Sequence, residues 1–138
     1  MKREIKFRAW DHNTDTMMIP DIFEFYDGEI GWIDAGREAG PKSGNDGDPG
    51  QFEIMQYADL NDKNGREIYE GDIVRTGKDN IGDPDPMIGQ VIMREGSWLI
   101  ENEKKQEAID LFSEITSREV IGNIFENPEL MEVTEHDD

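Results

Sequence analysis

Met55-Gln-Tyr-Ala-Asp-Leu-Asn-Asp-Lys-Asn-Gly-Arg-Glu-Ile-Tyr-Glu-Gly-Asp-Ile-Val74 is the stretch that decides the fold of this chain, because it places two tight turns between two strands. The dipeptide Asn64-Gly65 is typical of a type I′ turn, in which both residues have positive φ. Gly71 and Asp72 predict a second turn, since glycine adopts positive φ without steric cost and the side chain of Asp72 can bond to backbone N–H groups beyond itself. We therefore predict that these four residues are structural turn residues, with a binding loop as the alternative.

The charge of the chain restricts its partners. Its 138 residues include 33 acidic and 14 basic side chains, for a formal net charge of -19. Such a field repels nucleic-acid phosphates and anionic membranes, because phosphate binding needs clustered Lys and Arg. The expected partners are basic proteins, cations or further copies of the chain. The alternative is that the acidity only maintains solubility.

The composition also excludes several kinds of site. The chain has no cysteine, so disulfides, thiolate metal sites and cysteine nucleophiles are excluded. No apolar run approaches the roughly 20 residues that span a bilayer. The basic N-terminus is not followed by the apolar stretch of a signal peptide. We expect a soluble, cytoplasmic protein.

The N-terminal part is predicted to be a β extension over residues 1–57. Alternation predicts a first strand that buries Ile5, Phe7 and Ala9 on one face. Residues 35–50 contain no large apolar side chain. We predict that they form a mobile loop, because they cannot bury enough surface to offset the entropy of ordering. Two hairpins are predicted along the chain, at Asp27-Gly28 and at Glu95-Gly96.

Residues 66–126 are predicted to form a barrel-like unit, whose short strands and turns resemble the strand order of an SH3-like barrel. A helix is predicted over residues 103–116, with Asn102 as its N-cap. Its apolar residues follow the i, i+3, i+4, i+7 spacing, namely Ala108, Leu111, Phe112 and Ile115. Residues 127–138 are predicted to form a short helical turn and a frayed tail. The predicted fold class is therefore mostly β (α+β), a short-stranded mixed sheet with an SH3-like barrel-type C-terminal part and one helix.

No catalytic, cofactor or metal site is predicted. The segment from Asp59 to Gly65 resembles a calcium loop. With Gly65 at position six of an EF-hand loop, however, position twelve is Gly71 rather than a carboxylate. A weak surface cation site remains the alternative at five aspartates, namely Asp59, Asp62, Asp79, Asp83 and Asp85. His12 and His136 have no nucleophile nearby in the sequence, which disfavours histidine-based catalysis.

The tryptophans Trp10 and Trp32 are the candidate contact residues for a protein partner, since aromatic side chains are enriched at interfaces. Trp10 is the stronger candidate, because alternation places it opposite Ile5 and Phe7. The alternative for both, and for Trp98, is packing in a small core.

Three stretches of the chain resemble the YopX family, which occurs mainly in bacteriophages and prophages and is of unknown function. They are Arg3-Glu-Ile-Lys-Phe-Arg-Ala-Trp-Asp11, the stretch Met55–Val74 and Glu119-Val-Ile-Gly-Asn-Ile-Phe-Glu-Asn-Pro-Glu-Leu130. The chain departs from the family at Ala58-Asp59, which affects only local turn geometry. The resemblance implies a phage-encoded protein with a mostly β fold, and it carries no catalytic residues over to this sequence.

Our leading hypothesis is a non-enzymatic phage accessory protein that acts through protein–protein contacts, as a homo-oligomer, in the host cytoplasm. A small apolar core is often supplemented by a subunit interface. The alternative is an acidic decoy that mimics nucleic acid and binds a basic host protein, because residues 11–50 hold ten acidic and two basic residues. A third hypothesis is a hydrolase or nuclease with a carboxylate-bound divalent ion.

Overall fold

The computed structural model of the chain describes residues 5–20, 22–34, 44–46, 52–77, 86–112 and 117–132; for most of 22–34 and for 44–46 the description covers the backbone alone. The chain divides into two compact units, Ile5–Gln56 and one that contains Tyr57–Asp138. The described residues form twelve strands, β1–β12, and one short 3-10 helix. The prediction of a mostly β fold is confirmed, but the predicted mixed sheet is wrong, because all described strand pairs are antiparallel.

The N-terminal unit contains two small antiparallel sheets. Its complete strands are β1 (Phe7–Asp11), β2 (Thr16–Met18), β3 (Ile22–Tyr26), β4 (Glu29–Asp34) and β5 (Gly44–Asp46). One sheet has the order β2-β1-β6, where the first half of β6 (Phe52–Asn61) belongs to this unit, and the other has the order β3-β4-β5. The predicted hairpin at Asp27-Gly28 is confirmed, since both residues have positive φ, 53° and 84°.

Part of the predicted mobile loop is a strand. Gly44–Asp46 forms β5 and pairs with β4 in a register that places Trp32 opposite Asp46. The prediction considered only the burial of side chains, whereas this strand pairs through backbone hydrogen bonds to its neighbour. The remaining residues of 35–50 lie outside the described part of the chain.

The core of the N-terminal unit is small. Ala9 and Phe52 are buried together, with Met18 and Ile54 packed against them. The expectation that Ile5 is buried is wrong, because β1 begins only at Phe7 and Ile5 is 71% exposed.

The C-terminal unit is built on a five-stranded antiparallel sheet with the order β11-β10-β9-β8-β12. Its strands are β8 (Asp72–Gly77), β9 (Met87–Arg94), β10 (Ser97–Asn102), β11 (Glu107–Asp110) and β12 (Ser117–Asn123), with β7 (Glu67–Tyr69) before them and the 3-10 helix Pro128–Glu132 after them. The hairpin at Glu95-Gly96 is confirmed by positive φ at both residues, 51° and 83°. The largest fully buried apolar side chains of its core cluster are Ile68, Val74, Val91, Ile100 and Leu111.

The helix predicted over residues 103–116 is wrong. Asn102 makes the hydrogen bond of an N-cap residue, because its Oδ1 accepts from the backbone N–H of Lys105 at 3.1 Å. The chain then leaves the helical path at Gln106, whose φ is 52°. The following segment, Glu107–Asp110, pairs with β10 as a strand. The described residues contain no helix that is long and apolar enough to span a membrane.

Candidate functional site

Asp62 is the centre of the signature segment, and its carboxylate holds three backbone N–H groups. Its Oδ1 accepts hydrogen bonds from the N–H groups of Asn64 and Arg66, both at 2.9 Å. Its Oδ2 accepts one from the N–H of Val120 in β12, also at 2.9 Å and 58 residues away in sequence. The residue is 7% exposed, and hydrogen bonds to an ionised acceptor are stronger than neutral ones. Asp62 therefore ties the turn to β12.

The turn at Asn64-Gly65 is not the predicted type I′ turn. Gly65 has a φ of 84°, whereas Asn64 is not among the described residues with positive φ. The N–H of Gly65 donates to the carbonyl of Asp62 at 3.0 Å, and the N–H of Asp62 donates to the carbonyl of Arg66 at 2.8 Å. A turn that is followed by a glycine with positive φ belongs to the longer hairpin loops that end in a bulge. The side chain of Asp62, rather than a positive φ at Asn64, sets this geometry.

The second turn of the segment is centred on Gly71, whose φ is 87°. Its N–H donates to the carbonyl of Val91, and its carbonyl accepts from the N–H of Ile124, both at 2.9 Å. Asp72 is 2% exposed, and its Oδ2 accepts a hydrogen bond from the N–H of Tyr69 at 2.8 Å. The prediction named N–H groups beyond Asp72, whereas this bond runs to a residue three positions before it.

The signature turn covers the outer edge of β12. In addition to the bond between Asp62 and Val120, the N–H of Lys63 donates to the carbonyl of Arg118 at 3.0 Å. The Nη1 of Arg66 donates to the carbonyl of Val120 at 3.2 Å. These backbone groups of β12 point away from β8, and on an uncovered edge strand they would be available to another chain. The turn therefore closes one edge of the five-stranded sheet.

The opposite edge of the same sheet is β11, and among the described residues this edge is open. The N–H of Leu111 donates to the carbonyl of Trp98 in β10 at 3.1 Å. Because alternate residues of a strand direct their backbone groups to opposite sides, Ile109 also faces β10, while Ala108 and Asp110 direct their N–H and C=O groups outward. Among the described residues, β11 pairs with β10 alone, and Ala108 is exposed.

Arg118 lies close to the end of β11. Its Nε donates a hydrogen bond to the carbonyl of Leu111. Burial lowers the pKa of Arg118 below its ordinary value, and the nearby charge of Asp110 opposes this effect. The same proximity means that the guanidinium offsets part of the negative charge of Asp110.

A shallow groove of about 220 Å³ lies beside the segment that leads into β11. Its lining residues are Gln90, Glu101, Asn102, Glu103, Lys104, Met131 and Glu132. Two ion pairs involve its carboxylates: Lys104 Nζ lies 2.6 Å from Glu132 Oε2, and Arg94 Nη2 lies 2.6 Å from Glu101 Oε2. None of the lining residues is a Ser, Thr, Cys or His, so the groove offers no nucleophile paired with a base.

The cation site considered for five aspartates loses a ligand in the structure. Both carboxylate oxygens of Asp62 already accept backbone hydrogen bonds. Asp79, Asp83 and Asp85 lie outside the described residues. In the part of the chain that the structure describes, no group of three or more His, Asp or Glu side chains could hold a metal ion.

The candidate contact residues are placed as follows. Trp10 lies in β1 and is 6% exposed, so a partner would reach only a small part of its ring. Trp32 lies in β4, and its side chain is outside the described part. Trp98 is buried in the core of the C-terminal unit. The contact role of Trp10 and Trp32 stays a prediction.

Sequence reasoning missed the roles of Asp62 and Ala108. The pattern Asp62-Lys-Asn-Gly-Arg66 contains a local signal, because an aspartate at the start of a turn bonds to the N–H two residues on. Its bond to Val120 has no local signal. Ala108 was assigned to a helix, which concealed its place on a sheet edge.

The fold and the site define a mostly β protein in which the buried aspartates of its most specific segment bond to backbone groups. The sequence model of the YopX protein family matches residues 6–132. The chain belongs to the YopX family, and the resemblance carried by its three stretches is confirmed. No curated protein matches the chain.

Two solved structures are similar to nearly the whole chain. The crystal structure of protein EF1440 from Enterococcus faecalis covers 94% of this chain and 99% of its own, with 26% identity and a TM-score of 0.61. The X-ray crystal structure of protein yopX from Bacillus subtilis covers 91% of this chain and 96% of its own, with 19% identity and a TM-score of 0.64. The second likeness is one of fold alone.

Proposed function

We propose that the chain is a non-enzymatic phage or prophage accessory protein, which acts in the host cytoplasm through protein–protein contacts and as a homo-oligomer. The observation that carries this proposal is the outer edge of β11, which pairs with no described strand, in a sheet whose other edge is closed. An open edge is a row of backbone donors and acceptors that another strand can pair with.

The use of the buried polar side chains supports a role without chemistry. Asp62 and Asp72 accept hydrogen bonds from backbone N–H groups within the signature segment and β12. The Nδ2 of Asn102 donates to the carbonyl of Ile88 at 2.7 Å, and the Oδ1 of Asn123 accepts from the N–H of Glu126 at 2.8 Å. Buried polar groups that bond to the backbone stabilise a fold, and these four hold turns and strands of the C-terminal unit.

Sedimentation velocity at tens of micromolar protein tests the homo-oligomer. The proposal predicts a species of at least twice the 15.8 kDa mass of the chain. A single 15.8 kDa species across that range would contradict it.

We also propose that the C-terminal unit is an SH3-like barrel. The strand order supports this, since β8, β9, β10 and β11 follow one another and β12 returns beside β8. The hydrogen bond from Arg118 to Leu111 joins residues from the two ends of this order, as a curled sheet requires.

The alternative function is an acidic decoy that occupies the nucleic-acid site of a basic host protein. The excess of 33 acidic over 14 basic residues supports it. A host-lysate pull-down distinguishes the two functions. Capture of basic nucleic-acid-binding proteins, lost at high salt, by a chain that does not self-associate would replace the leading proposal with the decoy.

A further inference from the structure

We propose that β11 pairs with β11 of a second copy of the chain, antiparallel and centred on Ile109, so that two five-stranded sheets join edge to edge. This inference rests on the proposed function, for which it names the surface and the register.

The backbone allows few registers. Residues that exchange hydrogen bonds in an antiparallel pair lie directly opposite each other, and only Ala108 and Asp110 of β11 direct their backbone groups outward. When Ala108 lies opposite Asp110 of the second copy, all the outward N–H and C=O groups of both residues are paired. The two-fold axis then passes beside Ile109. Pairing Ala108 with itself would instead place Asp110 opposite Gln106, whose φ of 52° is not extended.

The side chains favour the same register. It places Ile109 opposite the second copy's Ile109, and this side chain already packs against the core cluster of its own unit. It places Asp110 opposite the small side chain of Ala108. Pairing Asp110 with itself would set like charges directly opposite each other, which is destabilising.

The closed edge of β12 decides between a dimer and a fibre. Head-to-tail pairing of β11 with β12 of another copy would generate an open array. The bonds from the signature turn to Val120 and Arg118 occupy the groups of β12 that such an array would need. Pairing of β11 with itself about a two-fold axis remains, and it ends at two copies.

The net charge predicts how the affinity of the dimer changes with salt concentration. Each copy carries a formal charge of -19, so the two copies repel each other. Salt screens this repulsion, and the dimer therefore tightens as ionic strength rises. A complex with a basic partner would weaken under the same change.

A charge substitution at Ala108 tests the register. Ala108→Lys places a cation opposite the second copy's Asp110, twice in the dimer, and Ala108→Glu places an anion there. We expect Ala108→Lys to lower the dimer Kd roughly 2- to 30-fold, and Ala108→Glu to raise it by a similar factor. Asn13→Lys and Asn13→Glu are the controls, because Asn13 is exposed in the turn between β1 and β2, outside the sheet that contains β11, and the changes in net charge are the same. Circular dichroism melts check that all four variants fold.

Each outcome of the sedimentation measurements has a distinct meaning. Opposite shifts at Ala108 that exceed those at Asn13 support the inference. Weakening by both Ala108 variants overturns the register centred on Ile109. A dimer that responds to charge at Ala108 no more than to charge at Asn13 overturns the β11 interface and leaves the homo-oligomer intact. A monomer at every concentration and salt overturns both.

Discussion

The two edges of the five-stranded sheet differ in what covers them. The outer groups of β12 bond to the turn of residues 62–66, through one carboxylate, one backbone N–H and one guanidinium. The outer groups of β11 have no neighbouring strand among the described residues. The difference shows that the most specific segment of the chain covers the edge strand β12. It leaves the other edge strand, β11, uncovered.

The residues of β11 also limit how far this edge can pair with other chains. β11 has four residues, and acidic side chains occupy both of its ends. Short edge strands with charged residues resist unlimited pairing with other chains. An edge of this kind suits one defined partner strand better than aggregation.

Removal of the carboxylate that closes β12 has the largest expected effect. Asp62→Ala leaves the N–H groups of Asn64, Arg66 and Val120 without their acceptor, and we expect a loss of about 3 kcal/mol or more in the free energy of unfolding. Urea unfolding measures it, with the exposed Glu103→Ala as the control, which should change stability by less than about 0.5 kcal/mol. Equal midpoints for Asp62→Ala and the parent chain would show that the edge is closed by other contacts.

Gly71→Val should have the next largest effect, about 1–3 kcal/mol, because a β-branched residue is strained at a φ of 87°. Gly71→Asn should cost less, since Asn tolerates positive φ better than other non-glycine residues. Thermal melts followed by circular dichroism compare the two variants. A Gly71→Val chain with unchanged melting temperature and oligomeric state that has lost a partner would identify the turn as a recognition site.

Ala108→Pro should leave the stability of the isolated chain within about 1 kcal/mol, because proline is tolerated on an edge strand whose N–H points to solvent. The same substitution removes a donor that the proposed dimer needs. Urea unfolding in dilute solution and sedimentation in concentrated solution separate the two effects. A large loss of stability in the monomer would mean that the N–H of Ala108 is already bonded within the chain, and the edge would then not be open.

Glu119→Gln should have the smallest effect. Glu119 lies on the closed edge strand β12, and its Oε1 is 2.9 Å from the Nη2 of Arg75. Exposed ion pairs contribute about 0–1 kcal/mol, so we expect a change of about 0.5 kcal/mol or less in urea unfolding. A loss that matches that of Asp62→Ala would assign the closure of this edge to side-chain charges instead of backbone bonds.

Local turn chemistry was readable from the sequence. The hairpin at Asp27-Gly28 follows from two residues that tolerate positive φ, and the hairpin at Glu95-Gly96 follows from its glycine alone. These preferences depend on adjacent residues only. The strands on either side followed from the turns.

The helix over residues 103–116 failed because two periods fit the same residues. Leu111 satisfies a helical spacing with Ala108, and it also alternates with Ile109 as a strand would. Pairing with β10 decided between them, and it is set by residues outside the segment. Pairing of this kind routinely overrides local propensity.

The bond from Asp62 to Val120 was beyond prediction for a related reason. The turn pattern indicates that Asp62 bonds to its own backbone neighbours. Nothing within the turn points to a strand 58 residues further along the chain. The covering of β12, and its difference from β11, can be recognised only when the strand order is known.

Native-state amide hydrogen exchange of Val120 and Ala108 shows whether β12 is closed and β11 is open. The measurement is made at a dilution where the chain is monomeric, so that only contacts within the chain slow exchange. We predict that the amide of Val120, which is bonded to Asp62, exchanges only when the C-terminal unit unfolds. The amide of Ala108 should exchange at a rate close to that of an unstructured peptide. Protection of Ala108 as strong as that of Val120, or fast exchange at Val120, would contradict this prediction.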